Sequence, residues 1–192
     1  MSNLHLKNKF DLVVIGCSVG GIEALKIILS DIPKNFNVPI VIVQHRSPDS
    51  NSMMIRYFTD LCPLTVCEPE DKEPIEAGKV YFAPANYHLL LAADHRFNLS
   101  VDEPVFYSRP SIDVTFKSAA EIYNNRLIGF VLSGSNADGA RGLKEIKDFG
   151  GFTVVQNSKT AYQSEMPLAA IEMVGPDLIL DLKELKELIH DL

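Results

Sequence analysis

A small-residue turn after the first apolar run places a serine where a nucleophile could act. Residues 12–15 are apolar and lead into residues 16–21, which read Gly-Cys-Ser-Val-Gly-Gly. In hydrolases a Gly-x-Ser-x-Gly pattern forms a sharp strand-to-helix turn that exposes the serine hydroxyl, and the next backbone N–H can bind an oxyanion. The pattern predicts Ser18 as a nucleophile and the Val19 N–H as an oxyanion donor. On this motif alone, a glycine-rich turn without chemistry explains the residues equally well.

A histidine and an aspartate follow two other apolar runs. His45 comes after residues 39–43, and Asp138 lies in the small-residue loop that follows residues 127–132. A strand-end histidine can simply face solvent, and an aspartate can simply cap a helix. However, ligands collect at the carboxyl ends of parallel strands, and a serine nucleophile needs a base that is oriented by a third group. The three positions together predict a hydrolase with Ser18, His45 and Asp138 as its catalytic residues.

The same glycine-rich turn could instead cradle a phosphate. A dinucleotide fingerprint has glycine at its third position, where this chain has Ser18, and an acidic residue after the next strand, where it has Gln44 and His45. The lysine of a P-loop is also missing. A non-catalytic α/β nucleotide-binding signalling module therefore stays as the alternative from another functional class.

The elements that must position these residues alternate along the chain. Short runs rich in Val, Ile and Leu alternate with amphipathic helical patterns, one of which has Ser111 as its candidate N-cap. This order predicts an α/β fold with a doubly wound, mostly parallel sheet between two helical layers, a Rossmann-like three-layer sandwich. Residues 88–92 and 97–101 predict an antiparallel hairpin at the sheet edge or over the site. The length of 192 residues predicts one domain, 1–192.

Composition excludes several functional classes. The formal net charge of −7 disfavours a domain that binds nucleic acid through its charge. The chain has no apolar run of membrane-spanning length and no signal-peptide core, so we expect no membrane insertion and a cytoplasmic location. Three cysteines without metal-ligand spacing suit a reducing compartment and predict buried, inert thiols. We expect no zinc site.

Several fragments, in order along the chain, resemble one known family. They run from about residue 12 to residue 180, and each is weak alone, whereas their ordered occurrence is specific. The sequence is similar to the catalytic domain of CheB, the chemotaxis protein-glutamate methylesterases. The matching fragments are residues 16–21, 43–45, 81–84 with His88, 109–113, 133–134, 138–140, 155–157 and 166–171.

The resemblance implies hydrolysis of glutamate γ-methyl esters with release of methanol, and deamidation of certain glutamines. It implies no cofactor. It also implies that the partner is the cytoplasmic signalling region of methyl-accepting chemoreceptors. The family triad corresponds here to Ser18, His45 and Asp138. A family oxyanion donor corresponds to the backbone N–H of Ser135, where relatives usually have Met. Val19 stands where relatives often have Thr, so a side-chain hydrogen bond is missing.

Contacts to substrate and control of the enzyme are further expectations. His88 could line the pocket, and Arg109 could contact an acidic receptor surface, together with Arg46 and Arg141. An esterase acting on a non-receptor substrate stays as an alternative. Family members typically carry a receiver domain before the esterase, whereas only fifteen residues precede Gly16. We therefore expect either the catalytic part of a longer protein or a lone esterase controlled by a separate regulatory protein.

Overall fold

The computed structural model describes residues 6–47 and 53–192. Its main sheet has seven strands, all parallel, in the order β3-β4-β2-β1-β7-β8-β9. The predicted doubly wound sheet is confirmed. The strands are β1 Leu12–Cys17, β2 Ile40–Gln44, β3 Thr65–Cys67, β4 Lys79–Phe82, β5 His88–Leu91, β6 Phe97–Ser100, β7 Leu127–Val131, β8 Phe152–Gln156 and β9 Leu178–Leu180.

Helices cover both faces of this sheet because successive strand residues point to opposite sides. In β1, Val13 and Ile15 pack into one buried cluster with α1, α2 and α6, whereas Leu12 and Val14 pack into the other with α3, α4 and α5. Both faces are therefore apolar, which explains the continuous runs of Val and Ile. The helices are α1 Gly21–Leu29, α2 Met53–Leu61, α3 Ile112–Tyr123, α4 Ala140–Asp148, α5 Glu165–Val174 and α6 Leu182–His190, with a 3₁₀ turn at Asn124–Arg126.

The predicted hairpin forms, but it does not extend the sheet. Strands β5 and β6 pair antiparallel with each other and form a separate two-stranded sheet. Helix α3 binds its free edge, because Thr115 Oγ1 donates to Leu89 O at 2.7 Å and Leu91 N donates to Ser118 Oγ at 3.1 Å. Of the two predicted placements, at the sheet edge or over the site, the structure excludes the sheet edge, because side-chain hydroxyls of α3 satisfy the backbone groups that another strand would have paired.

The strand order places a topological switch point at β1. From β1 the chain moves outward to β2 and β4 and then returns to β7 on the other side of β1. The loops after β1, β2 and β7 are consequently neighbours at one edge of the sheet, where open α/β sheets bind their ligands. Within residues 6–47 and 53–192, no helix has the length and apolar character that a membrane span requires.

Candidate active site

The sheet register brings Ser18 and His45 side by side. The last aligned pair of β1 and β2 is Cys17 with Gln44, so the next residue of each strand is Ser18 or His45. The His45 N–H donates to Cys17 O at 3.1 Å, and Gln44 Nε2 donates to His45 O at 2.6 Å. The backbone of His45 is thus fixed on both sides. The sequence predicted that both residues follow strands, and the pairing of β1 with β2 makes them neighbours.

The turn around Ser18 has the tight geometry that its small residues indicated. Gly20 has φ of +83° at the start of α1, a backbone conformation that suits glycine. A Cβ at this position would also lie 2.5 Å from Tyr162 Cβ. The Ser18 N–H donates to Ser133 O at 2.9 Å, and Ser133 Oγ donates to Val19 O at 2.7 Å. The loop after β7 therefore stabilises the serine turn through hydrogen bonds from and to Ser133.

Asp138 is the partner of His45. His45 Nε2 lies 2.7 Å from Asp138 Oδ2, and the Asp138 side chain is fully buried. The carboxylate also accepts the Ile112 N–H at 2.7 Å, the Asp113 N–H at 2.9 Å and the Ser111 hydroxyl at 2.9 Å. Asp138 consequently lies at the N-terminus of α3, where the helix dipole and free N–H groups stabilise an anion. It does not cap α4, whose N-cap is Gly139.

A second aspartate makes the reverse connection. Asp113, in the first turn of α3, accepts the N–H groups of Gly139 at 2.8 Å and Gly142 at 2.7 Å, at the start of α4. Burial, together with the neighbouring negative charge of Asp138, raises the pKa of Asp113 to about 6. Each helix start is therefore stabilised by a carboxylate that belongs to the segment leading into the other helix.

A groove of about 490 Å³ runs beside Ser18 and His45. The remaining lining is largely apolar and includes exposed side chains, Val19 at 45% and Tyr162 at 77%. A second groove, lined by Tyr107, Ser108 and Arg109 among others, also reaches His45. Because both grooves meet at His45, an extended substrate can approach the imidazole from two directions.

Two backbone N–H groups were predicted to bind an oxyanion. The N–H groups of Val19 and Ser135 donate to no other residue within the described parts of the chain, and both residues are exposed. By contrast, the Gly134 N–H, one position before Ser135, already donates to Gln163 O at 3.2 Å. The two groups are therefore available to a ligand, and their role as oxyanion donors stays a prediction.

The structure does not place His88 in the groove. His88 is 2% exposed, its Nδ1 accepts the Ser111 N–H at 3.2 Å, and its Nε2 lies 3.1 Å from Glu103 O. Both ring nitrogens are occupied, because the hairpin uses this imidazole to fix the start of α3. His88 thus supports Ser111, which in turn bonds to Asp138, and the expected contact with substrate is not what its position provides.

The predicted arginines differ in how free their charges are. Arg109 lines the second groove, but its guanidinium donates to Asn86 Oδ1 and to the carbonyls of Val101 and Asp102. These hydrogen bonds stabilise the loop after the hairpin. A substrate that contacts Arg109 would have to share the same guanidinium N–H groups. The Arg46 side chain is 6% exposed and pairs with Glu68, so its positive charge already has a partner within the protein.

Arg141, the third arginine, is exposed at the start of α4, with its guanidinium carbon 5.8 Å from the centre of the Phe106 ring.

No group of three or more metal-ligating side chains occurs within residues 6–47 and 53–192. Cys17, next to the serine, is completely buried, and burial strongly raises the pKa of its thiol. The sulfur is therefore unreactive, as its place in the turn suggested.

Sequence reasoning missed the residues that hold the site together. It treated Ser111 as a cap of α3, which is correct, but did not connect it with Asp138. Asp113 was noticed only as part of a matching fragment. Tyr162, which packs on Gly20, lies in a loop far away in the sequence. No spacing rule could have found these contacts, because they join segments more than twenty residues apart.

Comparisons with known proteins agree with this geometry. The family model described as CheB methylesterase matches residues 13–189. A curated protein of Leptospira interrogans is 48% identical over 179 residues, which cover 93% of each chain. The protein-glutamate methylesterase/protein-glutamine glutaminase of Thermotoga maritima is 35% identical over 94% of this chain and 54% of its own length.

A solved structure gives the same fold. The crystal structure of the Thermotoga maritima CheB methylesterase catalytic domain superimposes with a TM-score of 0.91 at 34% identity, over 95% of this chain and 98% of that domain. This chain spans nearly the whole Leptospira relative and about half of the Thermotoga protein. The matched residues include every strand of the sheet except the first residue of β1, together with the loops that carry Ser18, His45 and Asp138. The chain belongs to the CheB methylesterase family.

Proposed function

We propose that this protein is a serine hydrolase that removes methyl groups from glutamate γ-methyl esters of chemoreceptors and also deamidates receptor glutamines. The observation that carries the proposal is the 2.7 Å contact between His45 and the buried Asp138, beside a groove that Ser18 and His45 line. A base oriented by a buried carboxylate beside a serine turn is the arrangement that activates a serine hydroxyl. Relatives carry both activities in their names.

The proposal gives each nitrogen of His45 its own role. Because Nε2 is engaged by Asp138, Nδ1 is the nitrogen that can take the proton of Ser18. The serine oxygen then attacks the ester carbonyl, and the Asp138 carboxylate stabilises the imidazolium that forms. The assignment reverses the two ring nitrogens of the familiar serine-protease template but keeps the same roles.

The tetrahedral intermediate needs donors for its negative oxygen. In our proposal these are the N–H groups of Val19 and Ser135, which have no partner among the described residues. The bond from Ser133 Oγ to Val19 O holds the peptide of the serine turn in place. Each donor of this kind contributes about 3 kcal/mol to stabilising the transition state.

The remaining steps balance with these side chains and one water. His45 returns its proton to the departing methoxide, which leaves as methanol, and Ser18 stays acylated by the glutamyl group. Water then loses a proton to His45 and attacks the acyl carbonyl. As the bond to Ser18 breaks, His45 returns this proton to the serine oxygen, and the new carboxylic acid loses its own proton to solvent to give the glutamate carboxylate. For a glutamine substrate the same sequence releases ammonia in place of methanol.

The substrate chemistry also indicates where the enzyme works. Chemoreceptors present their modified glutamates on the cytoplasmic signalling region, so we place the reaction in the cytoplasm, with control by a separate regulatory protein or by a domain outside this chain. The substrate ester is neutral, whereas the product is an anion. The largely apolar groove beside Ser18 therefore suits the ester better than the product.

The test compares wild type with Ser18→Ala in a methanol-release assay on methylated receptor. The variant should fold normally and release no methanol above background. Ser30→Ala, which makes the same change at the opposite end of α1, serves as the matched control and should keep full activity. A parallel assay with a generic small ester distinguishes a receptor-specific enzyme from a general esterase. Wild-type rates in Ser18→Ala would refute the proposal.

A further inference from the structure

Two helix starts meet behind the proposed catalytic groups, and each receives a carboxylate from the other segment. Asp138 Oδ1 accepts the N–H of Asp113 at 2.9 Å, and Asp113 Oδ1 accepts the N–H of Gly139 at 2.8 Å, the residue directly after Asp138. Asp113 Oδ1 also accepts the Gly142 N–H at 2.7 Å. The result is a closed ring of hydrogen bonds between α3 and the loop that carries Asp138.

The packing at this point is too close for a larger residue. A Cβ at Gly142 would lie 2.5 Å from Phe116 Cβ and 3.0 Å from Asp113 Cα. A Cβ at Gly139, whose φ is +96°, would lie 2.8 Å from a methyl carbon of Ile112. The missing side chains allow the two helix starts to approach, and Asp113 then connects them.

We propose that Asp113 is a positioning residue of the esterase, which fixes the Asp138 carboxylate against His45 by holding the start of α4. This inference rests on the proposed function, because it concerns the same triad. Without Asp113 the N–H groups of Gly139 and Gly142 would lose their acceptor, and Asp138 would be held from the α3 side alone. A displacement of about 1 Å in such a group reduces turnover by about a hundredfold.

One oxygen of Asp113, Oδ2, is buried without a hydrogen bond within the described residues, which is a cost to stability. The charged groups that face the carboxyl are Asp138, which repels its negative charge, and Arg141, which attracts it. A buried carboxylate beside a second carboxylate is unfavourable by itself. The two hydrogen bonds from N–H groups of α4 are the favourable contacts that Asp113 makes at this position.

The experiment compares Asp113→Asn and Asp113→Ala with wild type and with Asp177→Asn. Asp177 is the matched control, because its Oδ2 likewise accepts a backbone N–H, that of Thr153, at the opposite edge of the sheet. The asparagine keeps an oxygen for the α4 N–H groups, whereas the alanine keeps none. We expect kcat for methanol release to fall about tenfold in Asp113→Asn and about a hundredfold in Asp113→Ala. KM should be unchanged in both, and Asp177→Asn should equal wild type.

A spectroscopic readout separates positioning from loss of fold. The His45 Nε2 proton held by Asp138 should give a downfield imidazole N–H signal in ¹H NMR, assigned by its loss in His45→Ala. This signal should weaken or move in both Asp113 variants and stay in Asp177→Asn. Unchanged kcat with an unchanged signal overturns the inference, and so does a rise in KM at constant kcat.

The NMR signal also distinguishes this inference from the proposed function. If wild type releases no methanol, the proposed function fails, and the His45 signal in the Asp113 variants still decides whether Asp113 positions Asp138. If Asp113→Ala does not fold, Asp113→Asn supplies the same comparison of kcat, KM and signal.

Discussion

Replacing Asp138 with asparagine is the most informative perturbation of the site. All four groups bonded to the carboxylate are donors: the N–H groups of Ile112 and Asp113, the Ser111 hydroxyl and the His45 imidazole. An asparagine has the same shape but carries an acceptor on one side and a donor on the other. Whichever way the amide turns, its NH₂ group therefore faces two groups that were donating.

The two orientations have different consequences. With NH₂ towards His45 and Ile112, the imidazole can accept only by moving its proton to Nδ1, which removes the base that Ser18 needs. With NH₂ towards Ser111 and Asp113, the hydroxyl can rotate to accept, but the Asp113 N–H cannot. In both cases one buried backbone N–H loses its acceptor, which reduces the free energy of unfolding by about 1–3 kcal/mol.

The loss of activity should be much larger than this loss of stability suggests. Either the wrong tautomer forms or the imidazolium lacks its carboxylate, and the corresponding change in the serine-protease template lowers kcat about 10⁴-fold. We therefore expect Asp138→Asn to reduce kcat for methanol release by about 10³–10⁴-fold, with the protein still folded. Ser111→Ala removes only one of the four donors and should reduce kcat by about tenfold at most.

The assay measures methanol from methylated receptor at saturating substrate, together with urea unfolding of each variant. Asp177→Asn again controls for the loss of a carboxylate that accepts a backbone N–H elsewhere. If Asp138→Asn keeps kcat within tenfold of wild type, the argument from four converging donors is refuted. If Ser111→Ala is as inactive as Asp138→Asn, the ranking of these contacts is refuted.

Three further predictions follow from other parts of the structure. Since the pKa of Asp113 is raised from 3.8 to about 6, the folded state binds this proton more tightly than the unfolded chain. The wild type should therefore gain stability relative to Asp113→Asn as the pH falls from 7 to 5 in urea unfolding. Tyr107 is fully exposed and has φ of +60°, in a tight turn directly after Phe106, whose φ is +48°. Because glycine adopts positive φ without strain, Tyr107→Gly should raise the free energy of unfolding by about 1 kcal/mol in the same assay. Cys17 should resist alkylation until the protein unfolds, whereas the half-buried Cys67 should react first, as peptide mass mapping would show.

The fold was predictable because its signals are local. The central strands β1, β2 and β7 are short runs rich in Val, Ile and Leu, and the helical patterns between such runs require parallel strands joined by crossovers. Ser18 and His45 could be placed together for the same reason, since each directly follows a strand and the strands are neighbours. The hairpin was correctly predicted as an element, whereas its attachment to hydroxyls of α3 has no local sequence signal.

The roles of individual side chains were less predictable. A histidine that opens a hairpin near a catalytic loop suggests a substrate contact, but burial and two hydrogen bonds make His88 a support for Ser111. Arg46 illustrates the same difficulty, because its value as a free charge depended on Glu68, which is distant in sequence. In both cases the partner that decided the role comes from another element.

By itself, the sequence determined the parallel three-layer fold, the edge of the sheet at which Ser18, His45 and Asp138 gather and the residue types found there. These depend on apolar periodicity and on the short distance along the chain from each strand to its following loop. Only the tertiary structure decided that the Asp138 carboxylate is held by the first turn of α3 and that Asp113 returns the contact to α4. Hydrogen bonds between helix starts more than twenty residues apart depend on how the layers pack, and no local pattern encodes that geometry.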